Sequence, residues 1–473
     1  MLHIYNTYSR QLEAFTPLNN KEVLMYTCGP TVYGRPHIGN FSAYLMADLL
    51  RRWLAVSGYN VRHVTNITDV GHLVADAEDG EDKLEKQAKQ EQADPLQIAN
   101  KYAEMYLSDE AELNILPSHE RPKASEHVTE MIAMTEALLE KGFAYETDDG
   151  VYFDVAKFKK YGQLSGNKIE DLTAGARVDI NECKHSAVDF ALWKKLVGAN
   201  AHHILKWPSP WGEGFPGWHI ECSAMSNKHL GEQIDIHTGG EDNIFPHHEC
   251  EIAQSEGVSG KQFCKYWLHK RHIDLGDIKM SKSLGNVIGV PTIKEKGFSP
   301  LDFRYLMMSV HYRTKLKFEW KGMEDAKKAR KKINDWFAQH QFDVCGKCAW
   351  PIQFSDDLDG HMTKFLHCMN DDLNTSGALA AVFECMAWSR NKNLSNDEHT
   401  SLHHFMQMVN YAFGCFEAPQ KLELPPSVQE LLQQRKQARE DKDFTKSDEL
   451  RDALTALGYN VLDTSGGQEV ERL

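Results

Sequence analysis

The sequence lacks several features that would place it quickly. Among its 473 residues there is no run of about 18 apolar residues, so no membrane-spanning helix is expected. The N-terminal MLHIYNTYSR has no apolar stretch long enough for a signal peptide, and the expected compartment is the cytoplasm. No internal repeat and no low-complexity tract is found, which excludes solenoids and fibrous arrays. There is no GxxxxGKS or GxxxxGKT, hence no P-loop. The single GxGxxG, Gly212 to Gly217, has no strand before it and carries Pro216 where a helix would begin, so it is not a dinucleotide fingerprint. Positive charge is scarce: 53 Lys and Arg against 68 Asp and Glu give a net charge of −15. That balance opposes wholesale coating of a nucleic-acid backbone and leaves room for local basic patches only.

What is present is an ordinary globular composition, 41% hydrophobic and 26% charged. At roughly 150 residues per domain the length suggests about three domains. The ten cysteines could pair on count alone. Without a secretion signal, reduced thiols, metal ligands or catalysis are the better expectation. Val23–Cys28 reads as a strand, and Phe41–Ser57 as an amphipathic helix capped by Gly58. Val61–Ile67 reads as a second strand. Strand, helix, strand in so short a span is a βαβ unit, which implies a parallel sheet with a nucleotide-friendly crevice. Asp94-Pro95 opens a long helix, and Ser125–Lys141 is another. From Tyr145 to Val197 the pattern changes to short strands and turns, as in an insertion. Trp207–Trp218 reads as a structured loop, with strands resuming at Gln233–His237 and Tyr266–Ile273. After Ser299-Pro300 the chain reads as helical almost to residue 415. Glu417–Glu423 and Pro425-Pro426 mark a linker to a small charged tail with one or two helices.

Three groups of residues carry chemistry. Cys28-Gly29-Pro30-Thr31-Val32-Tyr33 leads into His37-Ile38-Gly39-Asn40 at the start of the first crossover helix. Free N–H groups and the positive helix end suit phosphate there, His37 can donate to its oxygens, and Gly39 lets a flat base approach. Read alone, the tetrapeptide is a weak signal, and a helix-capping loop with a surface histidine accounts for it better. Lys279-Met280-Ser281-Lys282-Ser283 puts two lysines three apart in a small, hydroxyl-rich segment able to close over a polyphosphate. Cys28, Cys222, His247 and Glu251 form the third group. His247 and Glu251 are i,i+4 on a helix beginning after Pro246. Two thiolates, an imidazole and a carboxylate suit Zn²⁺, though buried structural cysteines fit the pattern too. His248 and Glu249 read as bystanders on other faces of that helix. Cys345-Gly346-Lys347-Cys348 has no second closely spaced pair and reads as free thiols, as do Cys368 and Cys385. The basic run Lys327–Lys332 is either a solvated helix face or a contact for nucleic-acid phosphates.

Taken together, these residues resemble the class I aminoacyl-tRNA synthetases, and within them the cysteinyl-tRNA synthetase family. CGPTVY…HIGN resembles the first family motif and KMSKS the second. Gly217–Met225 and Asp235–Glu256 resemble stretches peculiar to the cysteine enzymes. The resemblance covers nearly the whole chain. It implies an α/β fold: a Rossmann-like parallel-sheet catalytic domain split by an insertion, then an α-helical bundle, then a small C-terminal anticodon-binding domain. The expected boundaries are 1–118 and 211–298 for the catalytic halves, 119–210 for the insertion, 299–416 for the bundle and 417–473 for the linker and tail.

The resemblance also implies roles. Cys28, Cys222, His247 and Glu251 become the ligands of one Zn²⁺. His37, Asn40, Lys279 and Lys282 handle ATP, which enters as a substrate with Mg²⁺, and Lys282 contacts its phosphates. Gly39, Gly239, Gly240 and Asp242 hold the nucleotide, while Trp218 and Thr68 line the cysteine pocket. Asn40 stands where the family's tetrapeptide has a second histidine; an amide still donates a hydrogen bond, but not as a cation. The expected partners are tRNA(Cys), L-cysteine and ATP, with no membrane and no obligate protein partner, and the expected state is a monomer. A ligase that activates cysteine identically and transfers it to a small amine is the alternative. It lacks a place for the linker and basic tail.

Overall fold

A computed structural model describes residues 1–19, 22–70, 73, 82–171, 183–274, 287–342, 360–390, 392–417, 424–464 and 467–472. The chain forms two compact units, Met1–Phe416 and Glu417–Leu473.

The first unit is built on four parallel strands. The hairpin β1 (His3–Asn6) and β2 (Gln11–Ala14) precedes β3 (Glu22–Thr27), and α1 (Ile38–Val56) crosses over to β4 (Asn60–Thr65). Helices α2 (Lys83–Glu91), α3 (Pro95–Glu112) and α4 (Val128–Glu140) follow. An antiparallel sheet follows, of β5 (Ala144–Glu146), β6 (Gly150–Phe153), β7 (Phe190–Lys195) and β8 (Gly214–Pro216), the last of them beyond the expected end of the insertion at 210. The chain then returns through α5 (Trp218–Leu230), β9 (Ile234–Gly240), α6 (Glu249–Ser259) and β10 (Cys264–Lys270). The parallel sheet has the order β10-β9-β3-β4. β3 and β9 are neighbours though the whole insertion lies between them, and the connections leave their adjoining ends in opposite directions. Such a switch point opens a crevice at the carboxyl ends of the strands.

Alternation along the strands divides the core. Val23, Met25, Val61, Ile236, Tyr266 and Leu268 pack in the cluster that holds α1 and the later helices. Tyr26, Val64 and Trp267 point the other way, into the cluster that holds α4, α5 and α6. One face of the sheet therefore belongs to α1 and the other to α5 and α6.

Local chemistry explains the ends of α1. His37 is its N-cap, its ring accepting from the Asn40 backbone N–H (3.3 Å) while the Asn40 side-chain oxygen accepts from the His37 N–H (3.1 Å). That reciprocal pair is a capping box built without serine or glutamate. The helix begins at Ile38, three residues before the apolar pattern predicts, because the cap rather than the first apolar residue sets the start. It ends at Ser57, where Gly58 takes φ +86° as the sequence suggests. Gly212 and Glu213 precede β8, Gly214–Pro216 form it and Gly217 follows it; the strand is antiparallel, in keeping with the rejection of this run as a nucleotide motif.

Helices follow from Pro300, with Ser299 capping through a box with Asp302. The basic run is not one solvated face. Arg330 turns inward, pairs with Asp302 (2.7 Å) and donates to the Cys415 carbonyl, whereas Lys331 pairs with Asp335. Cys345 and Cys348 lie outside the described residues; Cys368 is half-buried and Cys385 buried, both free thiols. The second unit packs helices Pro426–Glu440 and Phe444–Ala456 on Val428, Leu432, Leu454, Tyr459 and Val461. It also carries a hairpin, Tyr459–Thr464 with Gly467–Arg472, that the helical reading of the tail misses. Arg435 in that tail is buried against Asp463 (2.9 Å) rather than presented as surface charge.

Candidate active site and metal centre

β3 delivers Cys28 just past its last residue, on the α5 face of the sheet. The backbone there is tightly held: the Cys28 N–H donates to Thr238 across β9 (3.3 Å), and Gly29 donates to the Asn66 side chain (2.8 Å). A Cβ on Gly29 would fall 1.7 Å from the Asn66 carbonyl oxygen, so only glycine lets the chain turn so close to β4. α5 brings Cys222 on its second turn. Its start is fixed by Gly217, where a Cβ would meet the Ala191 carbonyl at 2.0 Å.

The two sulfurs are 3.8 Å apart. Glu251 on α6 approaches Cys28 at 3.4 Å and the ring Nε2 of His247 at 3.2 Å. α6 itself starts at Glu249, and His247 occupies an irregular turn before it, yet the i,i+4 reach survives. The structure thus brings together all four residues predicted as metal ligands, and their donor atoms lie within 4.8 Å of one another. All of this is out of water; Cys222, His247 and Glu251 are each at most 2% exposed.

A second set of four overlaps the first: Cys28, Glu251, His237 and His248. His248 is no bystander, because its Nε2 lies 3.3 Å from the Cys28 sulfur and its Nδ1 2.8 Å from His269. The irregular turn before α6 rotates it inward, which a regular helix would not. Glu249 does point elsewhere, accepting from the backbone of Ser165 (2.8 Å). His237 on β9 holds the far oxygen of Glu251 at 2.9 Å. His237, His248 and His269 escape the sequence reading. The alternation of Ile236 and His237 on β9 is a signal for the first of them, since it sends His237 to the face opposite α1.

Electrostatics fit a cation. Burial pushes the Cys28 thiol well above its ordinary value, with Cys222 and Glu251 adding to it. Burial works against the Glu251 carboxylate as well, but His237 and His247 hold it below the usual range. Burial drives His248 toward its neutral form, able to lend a lone pair. Two soft sulfurs with imidazole and carboxylate suit a borderline transition-metal ion.

Around this cluster, Trp218 stacks on the His247 ring with centroids 4.7 Å apart, and His219 meets the other ring nitrogen at 3.0 Å. Thr68 is buried, accepts from Asn66 (3.0 Å), and is bridged by backbone to the Pro30–Val32 loop that follows Cys28. Gly239 and Gly240 end β9. A Cβ on Gly239 would lie 2.7 Å from His248, so the glycine admits that ring. Asp242 is exposed in the short turn Glu241–Asn243. His37, Gly39 and Asn40 sit at the N-terminus of α1. Lys279 and Lys282 lie outside the described residues. The chain after them is anchored where the Ile38 N–H donates to the Ile288 carbonyl (2.9 Å), at the first turn of α1.

Comparison with known proteins gives a consistent answer. The family described as the tRNA synthetases class I (C) catalytic domain matches residues 14–328. A DALR domain matches 364–417, and a cysteinyl-tRNA ligase anticodon-binding domain matches 422–470. The cysteine–tRNA ligase of Thermus thermophilus is 42% identical, with 98% of each chain covered. That of Caldicellulosiruptor saccharolyticus is 41% identical over the whole of both. Among solved structures, methionyl-tRNA synthetase of Mycobacterium tuberculosis with methionyl-adenylate aligns at TM-score 0.55 and 13% identity, covering 83% of this chain and 89% of that one. A LeuRS–tRNA–LeuAMS complex from Agrobacterium radiobacter aligns at TM-score 0.59 and 11% identity, covering 85% and 84%. These two speak for the fold alone.

Proposed function

We infer the site chemistry from one premise: the chain belongs to the cysteine–tRNA ligase family of class I aminoacyl-tRNA synthetases, and it joins L-cysteine to tRNA(Cys) using ATP. We propose that Cys28, Cys222, His247 and Glu251 hold one Zn²⁺. For a tetrahedral zinc, bond lengths of about 2.3 Å to sulfur and about 2.0 Å to nitrogen or oxygen give edges of about 3.8 Å, 3.5 Å and 3.3 Å for S···S, S···O and N···O. The corresponding distances here are 3.8, 3.4 and 3.2 Å, and this agreement is the observation that carries the reading. Bound there, the ion supplies a soft Lewis acid that takes a thiolate in preference to a hydroxyl, a distinction of cysteine from serine that an apolar pocket makes by only about 10²-fold.

The protein's own groups do the rest. Trp218, packed on His247, walls the cysteine pocket, and Thr68 offers a hydroxyl at its edge. His37 and Asn40 cap α1, and the positive end of the helix with the His37 ring and the Asn40 amide faces the triphosphate brought with Mg²⁺. Gly239, Gly240 and Asp242 receive the ribose and base, while Gly39 leaves room for the base at α1. Lys279 and Lys282 neutralise the charge that builds on the leaving pyrophosphate, with Lys282 in direct contact. Cysteine carboxylate attacks the α-phosphate and pyrophosphate leaves; a terminal ribose hydroxyl of tRNA then attacks the cysteinyl carbonyl, giving up its proton as the acyl–phosphate bond breaks and AMP leaves. No enzyme nucleophile is required; positioning and charge carry the rate. Residues 417–473 serve tRNA binding, and the enzyme acts in the cytoplasm.

The test is cysteine-dependent pyrophosphate exchange followed by transfer of labelled cysteine. Exchange with transfer to tRNA is expected. Transfer to an amino sugar and not to tRNA would instead support the small-amine ligase.

A further inference from the structure

Lys270 is the last residue of β10, and it is buried, 5% exposed. Its neighbours fix which side of the sheet it occupies. Trp267 and His269 lie on the metal side, where His269 meets His248. Tyr266 and Leu268 pack in the core under α1. Lys270 continues the Tyr266–Leu268 row, on the α1 face. Its register partner is Gly240, at the carboxyl end of the sheet. The same face of the same end is where α1 begins with His37 and Asn40.

The ammonium is poorly satisfied there. Its Nζ donates to the Arg271 carbonyl at 3.1 Å, and among the described residues no carboxylate lies within ion-pair distance of it. Glu241 is the nearby acid, but its two oxygens are taken by the Arg271 guanidinium (2.7 Å) and the His272 N–H (2.8 Å). Burial pulls the amine down to about 8, against the attraction of Glu241. A buried cation with one carbonyl for company among the described residues costs stability, and an uncharged side chain of the same length would pack there more favourably. Packing alone therefore gives no reason for a lysine at this position. A crevice that takes a polyanion does.

We propose that Lys270 is a third lysine of the nucleotide site, pairing with the triphosphate of ATP from the α1 face of β10. The proposal rests on the reading above that this crevice takes ATP. It places a cation at the end of a strand, on the face of the sheet where α1 begins.

The test compares the wild-type enzyme with Lys270→Met, which keeps the length and removes the charge, and with Lys270→Arg. Binding of a non-hydrolysable ATP analogue and of adenosine is titrated, and cysteine-dependent pyrophosphate exchange is run beside it. Loss of one charge-assisted hydrogen bond in a buried site is expected to weaken analogue binding about tenfold or more in Lys270→Met. Adenosine binding and the KM for cysteine should not move, Lys270→Arg should recover part of the loss, and the melting temperature of Lys270→Met should match or exceed wild type. Unchanged analogue binding would overturn the proposal. So would an equal loss for adenosine, which makes the lysine a wall of the pocket, or a lowered melting temperature, which makes it a structural residue. Wild-type enzyme that bound the analogue through Lys270 but showed no cysteine-dependent exchange would uphold the proposal and overturn the functional reading instead.

Discussion

Cys28 and Cys222 are separated by 194 positions in the chain, and their sulfurs meet at 3.8 Å as free thiols. A disulfide needs about 2.05 Å, so the spacing is not that of a strained bond, and it matches the sulfur–sulfur edge of the proposed zinc site. Replacing one sulfur by oxygen keeps the size of the side chain and weakens a soft ligand. Cys222→Ser is therefore expected to lose zinc on dialysis, read by elemental analysis, and to lower the preference for cysteine over serine in pyrophosphate exchange by more than about tenfold. A Cys222→Ser enzyme with full zinc and undiminished discrimination would remove zinc from the account of selectivity.

His237 reaches the proposed metal site through Glu251. The pair is fully buried, with Nε2 and Oε2 2.9 Å apart. Groups in that position hold a ligating carboxylate in one orientation, and their loss costs about 10–100-fold in metal affinity. His237→Ala should therefore bind zinc more weakly in a chelator competition by that factor while keeping all four ligands. His237→Gln, which can still donate, should recover part of it. Equal affinity in both variants would make His237 a packing residue only.

How much of the site the sequence discloses depends on how far apart in the chain its parts are. His247 and Glu251 are legible because a helix repeats every few residues, so spacing alone puts them on one face. α1 and the flanking strands β3 and β4 are legible for the same local reason. His237, His248 and His269 are not. Their convergence depends on β9 lying between β3 and β10, a pairing across the insertion that no local pattern carries. His248 also requires the irregular turn before α6, where regular helical geometry turns it away. Arg330 and Arg435 show the opposite failure: each looks like surface charge in sequence and each is buried against an aspartate.

Asp48 on α1 links the first crossover helix to the later helices. It is buried between Arg52 (2.7 Å) and Arg304 (2.5 Å) and accepts the Leu116 N–H. Burial disfavours the carboxylate, but the two guanidinium groups outweigh it and hold the pKa down to about 2. A carboxyl depressed on folding adds stability that is fully present above its unfolded value near 3.9 and is lost as pH falls through the folded value, with about 2–3 kcal/mol at stake. Denaturant melts should therefore show stability declining from about pH 4 toward pH 2, with Asp48→Asn removing that part of the slope. At neutral pH Asp48→Asn should cost about 3–5 kcal/mol, because two buried arginines lose their counter-ion. A melt at pH 7 indistinguishable from wild type would contradict that role.

Asn40 has two duties that one substitution separates. Its side-chain oxygen accepts the His37 N–H in the capping box, and in the proposed site its place on the first turn of α1 meets the triphosphate. Asn40→Ala removes the acceptor and should cost about 1 kcal/mol of stability. Asn40→Asp keeps an acceptor in the same place and adds a negative charge at a helix N-terminus, which favours the helix by about 0.3–1 kcal/mol. The same charge would face the phosphates of ATP. Asn40→Asp is therefore expected to melt at or above the wild-type temperature while its KM for ATP in pyrophosphate exchange rises at least tenfold and its KM for cysteine stays put. Asn40→His, which keeps a donor at this position, should stay within about tenfold of wild type, since one neutral hydrogen bond contributes about 0.5–1.5 kcal/mol. An Asn40→Asp enzyme with an unchanged KM for ATP would show that the first turn of α1 caps the helix and does not meet the phosphates.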